Sequence, residues 1–371
     1  MKVALVHDYL KEYGGAERVL GALHDIFPDA PVYTSFIDWK ALGPHQNKLQ
    51  KWDIKTSWMD KIYPIKKLHS PLRFLAPLVW KSFDFKGFDV VISSSGWFMC
   101  KGVSVPENTT HICYLHHPPR HLYGYTTAVE WKKYLLVRIY AAVVNHFLRI
   151  YDFNTSQKVD YFIVNSKETQ KRCEKFYRRS SAVIYPPVDT GFTDPKKKEK
   201  GDYYLSVSRL ARAKNVDFAI KACIKLGKSL KIVGKGRDEE YLKRAAQGVK
   251  NIEFLGEVSD EELEKVYNKA TALIFPSVDE EFGIVSVEAQ ARGIPVVGLR
   301  SGGIPETLID GKTGILFDDL TVESLTKAIE KLEKAHIQSE DCVKNAKRFS
   351  NERFEKEITR FVNSMRKDLP Q

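Results

Sequence analysis

The feature that most constrains this chain is the alternation of short apolar runs with longer helical patterns along almost its whole length. Residues 2–7, 32–36, 89–93, 111–115 and 161–165 read as strands in the first half, and 203–207, 230–233, 252–255, 272–275, 295–297 and 314–317 in the second. Each run is apolar on consecutive residues rather than on every other one, as expected of parallel strands covered on both faces. Between them, residues 16–27 set Val19, Leu20, Leu23, Ile26 and Phe27 on one helical stripe. Ser259-Asp260-Glu261-Glu262 is a capping box that opens a helix continuing through Leu263, Val266 and Tyr267. The pattern predicts doubly wound α/β architecture, and 371 residues suffice for two such domains.

The boundary is also readable. Tyr185-Pro186-Pro187-Val188-Asp189 ends one series, and residues 194–202 follow with almost nothing apolar, which marks a linker near 187–202. The expected organisation is a domain over 1–187, a second over 188–350, and a segment 351–371 whose helix, spanning 349–365, crosses back to the first domain. Doubly wound domains bind ligands at the carboxyl ends of their strands, so the active site is expected in the cleft between the two.

Composition removes several classes. With 43% apolar and 28% charged residues the chain is neither disordered nor fibrous. The net charge of +11 favours an anionic partner without choosing among nucleic acid, acidic lipid and phosphorylated small molecules. Five scattered cysteines with no C-x-x-C pair fit buried free thiols in a reducing compartment. The first eight residues reach charge too soon for a signal peptide, and Arg138, His146 and Arg149 interrupt the apolar stretch 134–151, which is therefore not a spanning helix. A cytoplasmic protein is expected.

Five segments carry chemistry. In Glu280-Glu281-Phe282-Gly283-Ile284-Val285-Ser286-Val287-Glu288, a helix is expected to begin near Phe282, its free N–H groups suited to phosphate or sugar hydroxyls. Glu280 then precedes the helix and Glu288 lies about two turns in. After strand 203–207, Arg209 and Lys214 share one strand-to-helix loop, close enough to converge on a diphosphate and stabilise charge on a phosphate leaving group. Gly234-Lys235-Gly236 is a glycine turn, but neither a P-loop nor a dinucleotide fingerprint. Gly14-Gly15-Ala16-Glu17-Arg18 opens the first helix, where the glycines let the backbone curl around an anion. Tyr114-Leu115-His116-His117-Pro118-Pro119-Arg120 follows another strand; adjacent histidines point apart, and a zinc site lacks further ligands, so no metal is expected.

In this order, Gly14-Gly15-Ala16-Glu17-Arg18, Tyr114-x-His116-x-Pro118-x-Arg120, Ser208-Arg209-Leu210-x3-Lys214-Asn215, Phe275-Pro276-Ser277, Glu280-x-Phe282-Gly283-x4-Glu288, Ser301-Gly302-Gly303 and Asp310-Gly311-x-Thr313-Gly314 resemble the retaining glycosyltransferases of GT-B fold, the large family numbered four. The resemblance runs from Lys2 to about Thr321. It implies two Rossmann-like domains facing across a cleft, and a sugar moved from a nucleoside diphosphate donor to an acceptor hydroxyl. The donor phosphate oxygen would take the acceptor proton, with no enzyme nucleophile, metal or other cofactor. By the same resemblance, Glu280 contacts the donor sugar and Glu288 the ribose. Arg209 and Lys214 bind the pyrophosphate, with Gly14 and Gly15 facing it, and Gly236 and Val258 line the base pocket. Phe282, Gly283 and Ile284 complete the donor site, His116 lies beside the transferring sugar, and Asp8 and Arg120 are expected on the acceptor side. The segment around His116 looks like that of mannosyl-transferring members, which favours GDP-mannose over UDP-sugars; a polyprenyl-linked glycan is the acceptor expected if the chain binds a membrane peripherally.

Residues 51–90 interleave eight Lys/Arg (51, 55, 61, 66, 67, 73, 81, 86) with Trp52, Trp58, Met59, Ile62, Tyr63, Ile65, Leu68, Phe74, Leu75 and Trp80. This suits either an anionic membrane surface, on the inner face of the cell membrane, or an ordinary core with a solvated basic face. Two rival functions are a non-hydrolysing nucleotide-sugar epimerase of the same fold, which the S-R-L-x3-K-N and E-x-F-G signatures oppose, and a nucleic-acid binder. The latter lacks any recognition motif, and the basic residues are spread through both halves. No nucleic acid is expected as partner.

Overall fold

The computed structural model describes residues 1–62, 66–127, 134–191 and 201–365. They form two compact units. The first comprises residues 1–125, 134–187 and 352–365; the second comprises 126–127, 188–191 and 201–351. Most of the expected linker, like Tyr63 and Ile65, lies outside the described residues.

The first unit is built on a seven-stranded sheet of β1 (Val3–His7), β2 (Val32–Thr34), β3 (Ile54–Thr56), β4 (Val90–Ser95), β5 (Thr110–Leu115), β6 (Tyr161–Val164) and β7 (Ala182–Val183), in the order β3-β2-β1-β4-β5-β6-β7. The second holds six strands, β8 (Tyr203–Val207), β9 (Leu230–Val233), β10 (Ile252–Gly256), β11 (Ala270–Phe275), β12 (Val296–Leu299) and β13 (Gly314–Phe317), in the order β10-β9-β8-β11-β12-β13. Every pairing among these strands is parallel. In each sheet the chain winds outward one way and then returns to the middle to wind the other way. The order therefore reverses between β1 and β4 in one sheet and between β8 and β11 in the other. Those two places are the switch points where doubly wound sheets bind ligands.

The interior strands are buried from end to end because helices cover both faces. The strand expected over 32–36 stops at Thr34, where the chain turns to pair with the loop after β1 through Leu10 N to Phe36 O (3.0 Å). The capping box forms as expected: Ser259 Oγ accepts from Glu262 N (3.2 Å), and Glu262 Oε2 accepts from Ser259 N (3.0 Å). The helix Asn351–Ser364 belongs to the first unit, and Phe354, Ile358 and Val362 sit fully buried in one core with Val3, Leu5 and Val90. Each such burial is worth about 1.5–3 kcal/mol, so this helix is part of the unit's fold.

Segment 51–90 divides. Met59 and Trp80 are fully buried, Trp80 donates from Nε1 to Phe98 O (2.6 Å), and Trp52 stacks on His24 (4.2 Å). Ile62, Leu68 and Phe74 remain exposed, together with Leu78. Among the described residues no helix is long and apolar enough to cross a membrane, and the five cysteines are free and buried.

Candidate functional site

The second unit gathers its motif residues at the switch point. Lys214 comes from the loop after β8 and Glu280 from the loop after β11. Lys214 Nζ donates to Glu280 Oε2 at 2.6 Å, and Ser277 Oγ donates to the same oxygen at 2.7 Å. The two loops are fastened beneath this contact: Asn215 Nδ2 donates to Pro276 O (3.1 Å), and Val278 N to Ala213 O (3.1 Å). The loop after β12 closes in from the other side, where Gly303 N donates to Glu280 O at 2.7 Å. Gly302, at φ +59, could carry no side chain, because a Cβ would lie 2.1 Å from that carbonyl.

The turn after β9 is tied in through backbone. Leu210 N donates to Lys235 O (2.9 Å) and Gly234 N to Gly256 O (2.7 Å). Gly236 lies so close that a Cβ would meet Leu210 O at 2.1 Å. The strand-end loops carrying Arg209, Gly236 and Val258 are thus one backbone-stitched rim. Arg209 is exposed on it and Val258 half-buried. Arg212, the cation outside the motif, turns away to Asp238 (3.8 Å) and the face of Tyr241 (4.5 Å).

The helix expected near Phe282 begins two residues later, at Ile284, because Gly283 takes the left-handed cap position at φ +91. Glu288 accordingly lies one turn in, not two. It is half-buried, and its carbonyl accepts from Arg292 Nη1 (2.9 Å). Phe282 is buried, edge-on to Phe349 at 5.3 Å, so it anchors the turn that presents Glu280.

In the first unit, Asp8 follows β1 directly at the other switch point and is buried. Its Oδ2 accepts from Gly96 N (3.0 Å) and Phe98 N (2.9 Å), and its Oδ1 from Cys100 N (2.8 Å). This carboxylate organises the start of the loop after β4, from Gly96 to Cys100. At the opening of the first helix, Glu17 Oε2 accepts from Gly14 N at 2.8 Å, so one donor of the glycine turn is capped by the chain's own carboxylate. Gly14 has φ −106, an ordinary extended value, and Gly15 is exposed beside it.

A polar chain missed in the sequence ends at His116. Glu17 Oε1 lies 3.6 Å from His7 Nε2, His7 Nδ1 is 3.1 Å from Ser94 Oγ, and Ser94 Oγ is 2.8 Å from His116 Nε2. All four side chains are buried. Ser94 Oγ thus bridges the two imidazoles, and the ring tautomers set which way each of its hydrogen bonds runs. His117 turns elsewhere, with Nδ1 donating to Pro118 O (3.0 Å). Arg120 is half-buried at the start of the short helix Arg120–Tyr123. Among the described residues no cluster of His, Cys, Asp and Glu could hold a metal ion.

Tyr9, His69 and Trp97 pack around the same strand ends, with His121 against Trp97 at 5.3 Å. Burial lowers the His69 imidazole to about 4, helped by Lys11, whose Nζ is 2.9 Å away. Burial lowers His121 to about 3, with Arg73 and His117 adding to it.

Residues 188–349 match the family model described as glycosyl transferases group 1. An α-1,3/1,6-mannosyltransferase ALG2 of Dictyostelium discoideum is 26% identical over 343 residues, 80% of this chain and 79% of the relative. A GDP-mannose-dependent α-(1-6)-phosphatidylinositol monomannoside mannosyltransferase of Mycolicibacterium smegmatis is 33% identical over 192 residues, 44% of this chain and 50% of the relative. Beyond the Dictyostelium protein, the chain spans about half or less of the length of the curated relatives it matches. Among solved structures, Anabaena Alr3699/HepE in complex with UDP and glucose superimposes with a TM-score of 0.72 at 20% identity, covering 98% of this chain and 100% of that one. With these matches laid over the two doubly wound sheets, the chain has the GT-B fold, and its residues 188–349 match the group 1 glycosyl transferase family.

Proposed function

We propose that this protein is a retaining mannosyltransferase that uses GDP-mannose and elongates a polyprenyl-linked glycan at the cytoplasmic face of a membrane. The observation that carries the reading is the convergence of Lys214, Ser277 and Glu280 at the β8–β11 switch point, beside a glycine turn with no side chain to fill it. The two mannosyl-transferring relatives support the sugar, and one of them carries GDP-mannose in its name.

In this reading Glu280 exchanges its bonds from Lys214 and Ser277 for hydroxyls of the donor sugar. Lys214 turns to the diphosphate, where it and Arg209 neutralise the charge that builds as the bond from the anomeric carbon to phosphate oxygen breaks. The acceptor hydroxyl oxygen bonds to the same face of that carbon, and its proton passes to the departing phosphate oxygen. Glu288 holds the ribose, His116 serves the transferring sugar, and Arg120 serves the acceptor. The role of Asp8 is then indirect, since its oxygens hold the loop after β4. Two cations and backbone donors do the electrostatic work, so the reaction needs no metal.

Nucleotide sugars screened by thermal shift test the reading, because a ligand that binds only the native state raises its stability by mass action. GDP and GDP-mannose are expected to raise Tm. A rise with UDP-glucose or UDP-N-acetylglucosamine and none with GDP or GDP-mannose contradicts the donor.

A further inference from the structure

The helix Leu135–Ser156 is 22 residues long and has two opposite faces. One is buried: Ala141, Asn145, Leu148 and Asp152 turn inward, and Asp152 forms an enclosed ion pair with Lys101 while accepting from Tyr123 Oη (2.7 Å). The other carries Leu136, Ile139, Val143, Phe147 and Ile150, three or four residues apart and so on one stripe. These five are 80%, 56%, 55%, 66% and 48% exposed. An ordinary surface helix is polar on its outer face. This one is apolar there over about four turns.

The stripe continues sideways. Tyr140 Oη donates to Pro71 O, and Arg73 donates from Nε and Nη2 to Asn145 Oδ1 (3.2 and 3.0 Å). Segment 68–78, with exposed Leu68, Phe74 and Leu78, is thereby fastened along the helix.

The charge around this surface has one sign. From 134 to 151 the chain has no Asp or Glu, but exposed Arg138, His146 and Arg149 flank the apolar stripe. Arg138 and Arg149 are eleven residues apart, three turns, and so line the same edge of the helix. The helix's one acid, Asp152, is inside and neutralised by Lys101. An apolar face with two exposed arginines along one edge, in a stretch 134–151 that has no acid, complements an anionic bilayer surface. A second copy of the chain would bring the same cations against each other.

We propose that the 135–156 helix lies in the headgroup–acyl boundary of an anionic membrane, with Leu136, Ile139, Val143, Phe147 and Ile150 inserted. This goes beyond the proposed reaction and deepens only its membrane location. It moves the anchor from segment 51–90 as a whole to this helix with 68–78 beside it. The anchor also reaches the acceptor-side loops: Asn145 Nδ2 donates to His121 O (3.1 Å), and Lys101 stands in the loop whose start Asp8 organises.

Flotation of the full chain with phosphatidylcholine vesicles, with and without phosphatidylglycerol, decides it. The wild-type chain is expected to float with the anionic vesicles at least tenfold more than with neutral ones. Val143→Asp with Phe147→Asp, at exposed positions, is expected to cut that recovery at least tenfold while the Tm rise with nucleotide is kept. Phe147→Trp emission should shift to the blue when anionic vesicles are added. Failure of the wild type to float, equal flotation of the double variant, or a solution dimer that the double variant splits without vesicle binding in either form would overturn the proposal. The nucleotide response is read separately, so loss of one reading leaves the other to stand or fall alone.

Discussion

At each switch point a carboxylate bridges two strand-end loops, but the two are held in different ways. Asp8, between β1 and β4, accepts three backbone N–H groups and is buried. Glu280, between β11 and β8, is held by two side chains, Lys214 and Ser277, and is only half-buried. Backbone donors cannot leave without undoing the loop, whereas an ammonium and a hydroxyl can rotate away when a ligand offers something better. The same residue class at the same topological position is therefore fixed by backbone donors in one unit and held by side chains that can rotate in the other.

The largest effect should come from breaking the first of these. Asp8→Ala strands three buried N–H donors, each costing about 1–3 kcal/mol when unsatisfied, so the first unit should lose on the order of 3–5 kcal/mol. Five of the six tryptophans, Trp39, Trp52, Trp58, Trp80 and Trp97, lie in the first unit and none follows residue 131, so denaturant melts followed by tryptophan fluorescence report on that unit. A loss below about 1 kcal/mol would remove the distinction.

Acid should separate the units next. Nine of the ten histidines precede residue 188, and burial holds His69 to about 4 and His121 to about 3. Between about pH 6.5 and 4 the unfolded chain takes up protons that the folded unit refuses. Stability is thus full above pH 6.5 and falls as pH drops, by up to about 1.4 kcal/mol per pH unit for one group. Tryptophan-detected melts should show the first unit weakening over that range, and His121→Phe should flatten the slope. A slope unchanged by that substitution would contradict the assignment.

A smaller effect is expected in the polar chain. Ser94→Ala removes the link between His7 and His116 and should lower turnover about five- to tenfold, near 1 kcal/mol for one neutral hydrogen bond, with nucleotide affinity unchanged. Kinetics of Ser94→Thr, which keeps the hydroxyl, should recover much of the loss. The smallest effect should be on folding in the second unit: Glu280→Gln should cost under about 1 kcal/mol in thermal stability, since it loosens a partly solvated pair.

The same contrast explains what the sequence made legible. Interior strands were readable because burial on both faces demands consecutive apolar residues. The edge strands β3 and β7 were not, since Ile54-Lys55-Thr56 and Ala182-Val183 are short and half-exposed. The strand-end loops of the second unit keep their residues in local motifs, so Arg209, Lys214, Glu280 and Glu288 stood out. Glu17, His7, Ser94 and His116 come together from β1, β4, the first helix and the loop after β5, and no local pattern joins them. The stretch 134–151 looked merely unable to span a membrane. Its outward stripe emerges only when Asn145 and Asp152 fix which side faces in.

The central claim is that Glu280 acts on the reacting sugar and Glu288 on the nucleotide. Turnover and calorimetric nucleotide affinity, measured together on Glu280→Gln and Glu288→Gln, test it most directly. Contacts that tighten as charge develops at the anomeric carbon raise kcat rather than affinity, so Glu280→Gln should lower kcat about 100-fold or more, with free nucleotide bound almost as before. Glu288→Gln should weaken nucleotide binding by about 1.5–3 kcal/mol, the loss of a charge-assisted hydrogen bond. Near-wild-type turnover in Glu280→Gln, or unchanged nucleotide affinity in Glu288→Gln, would contradict the account.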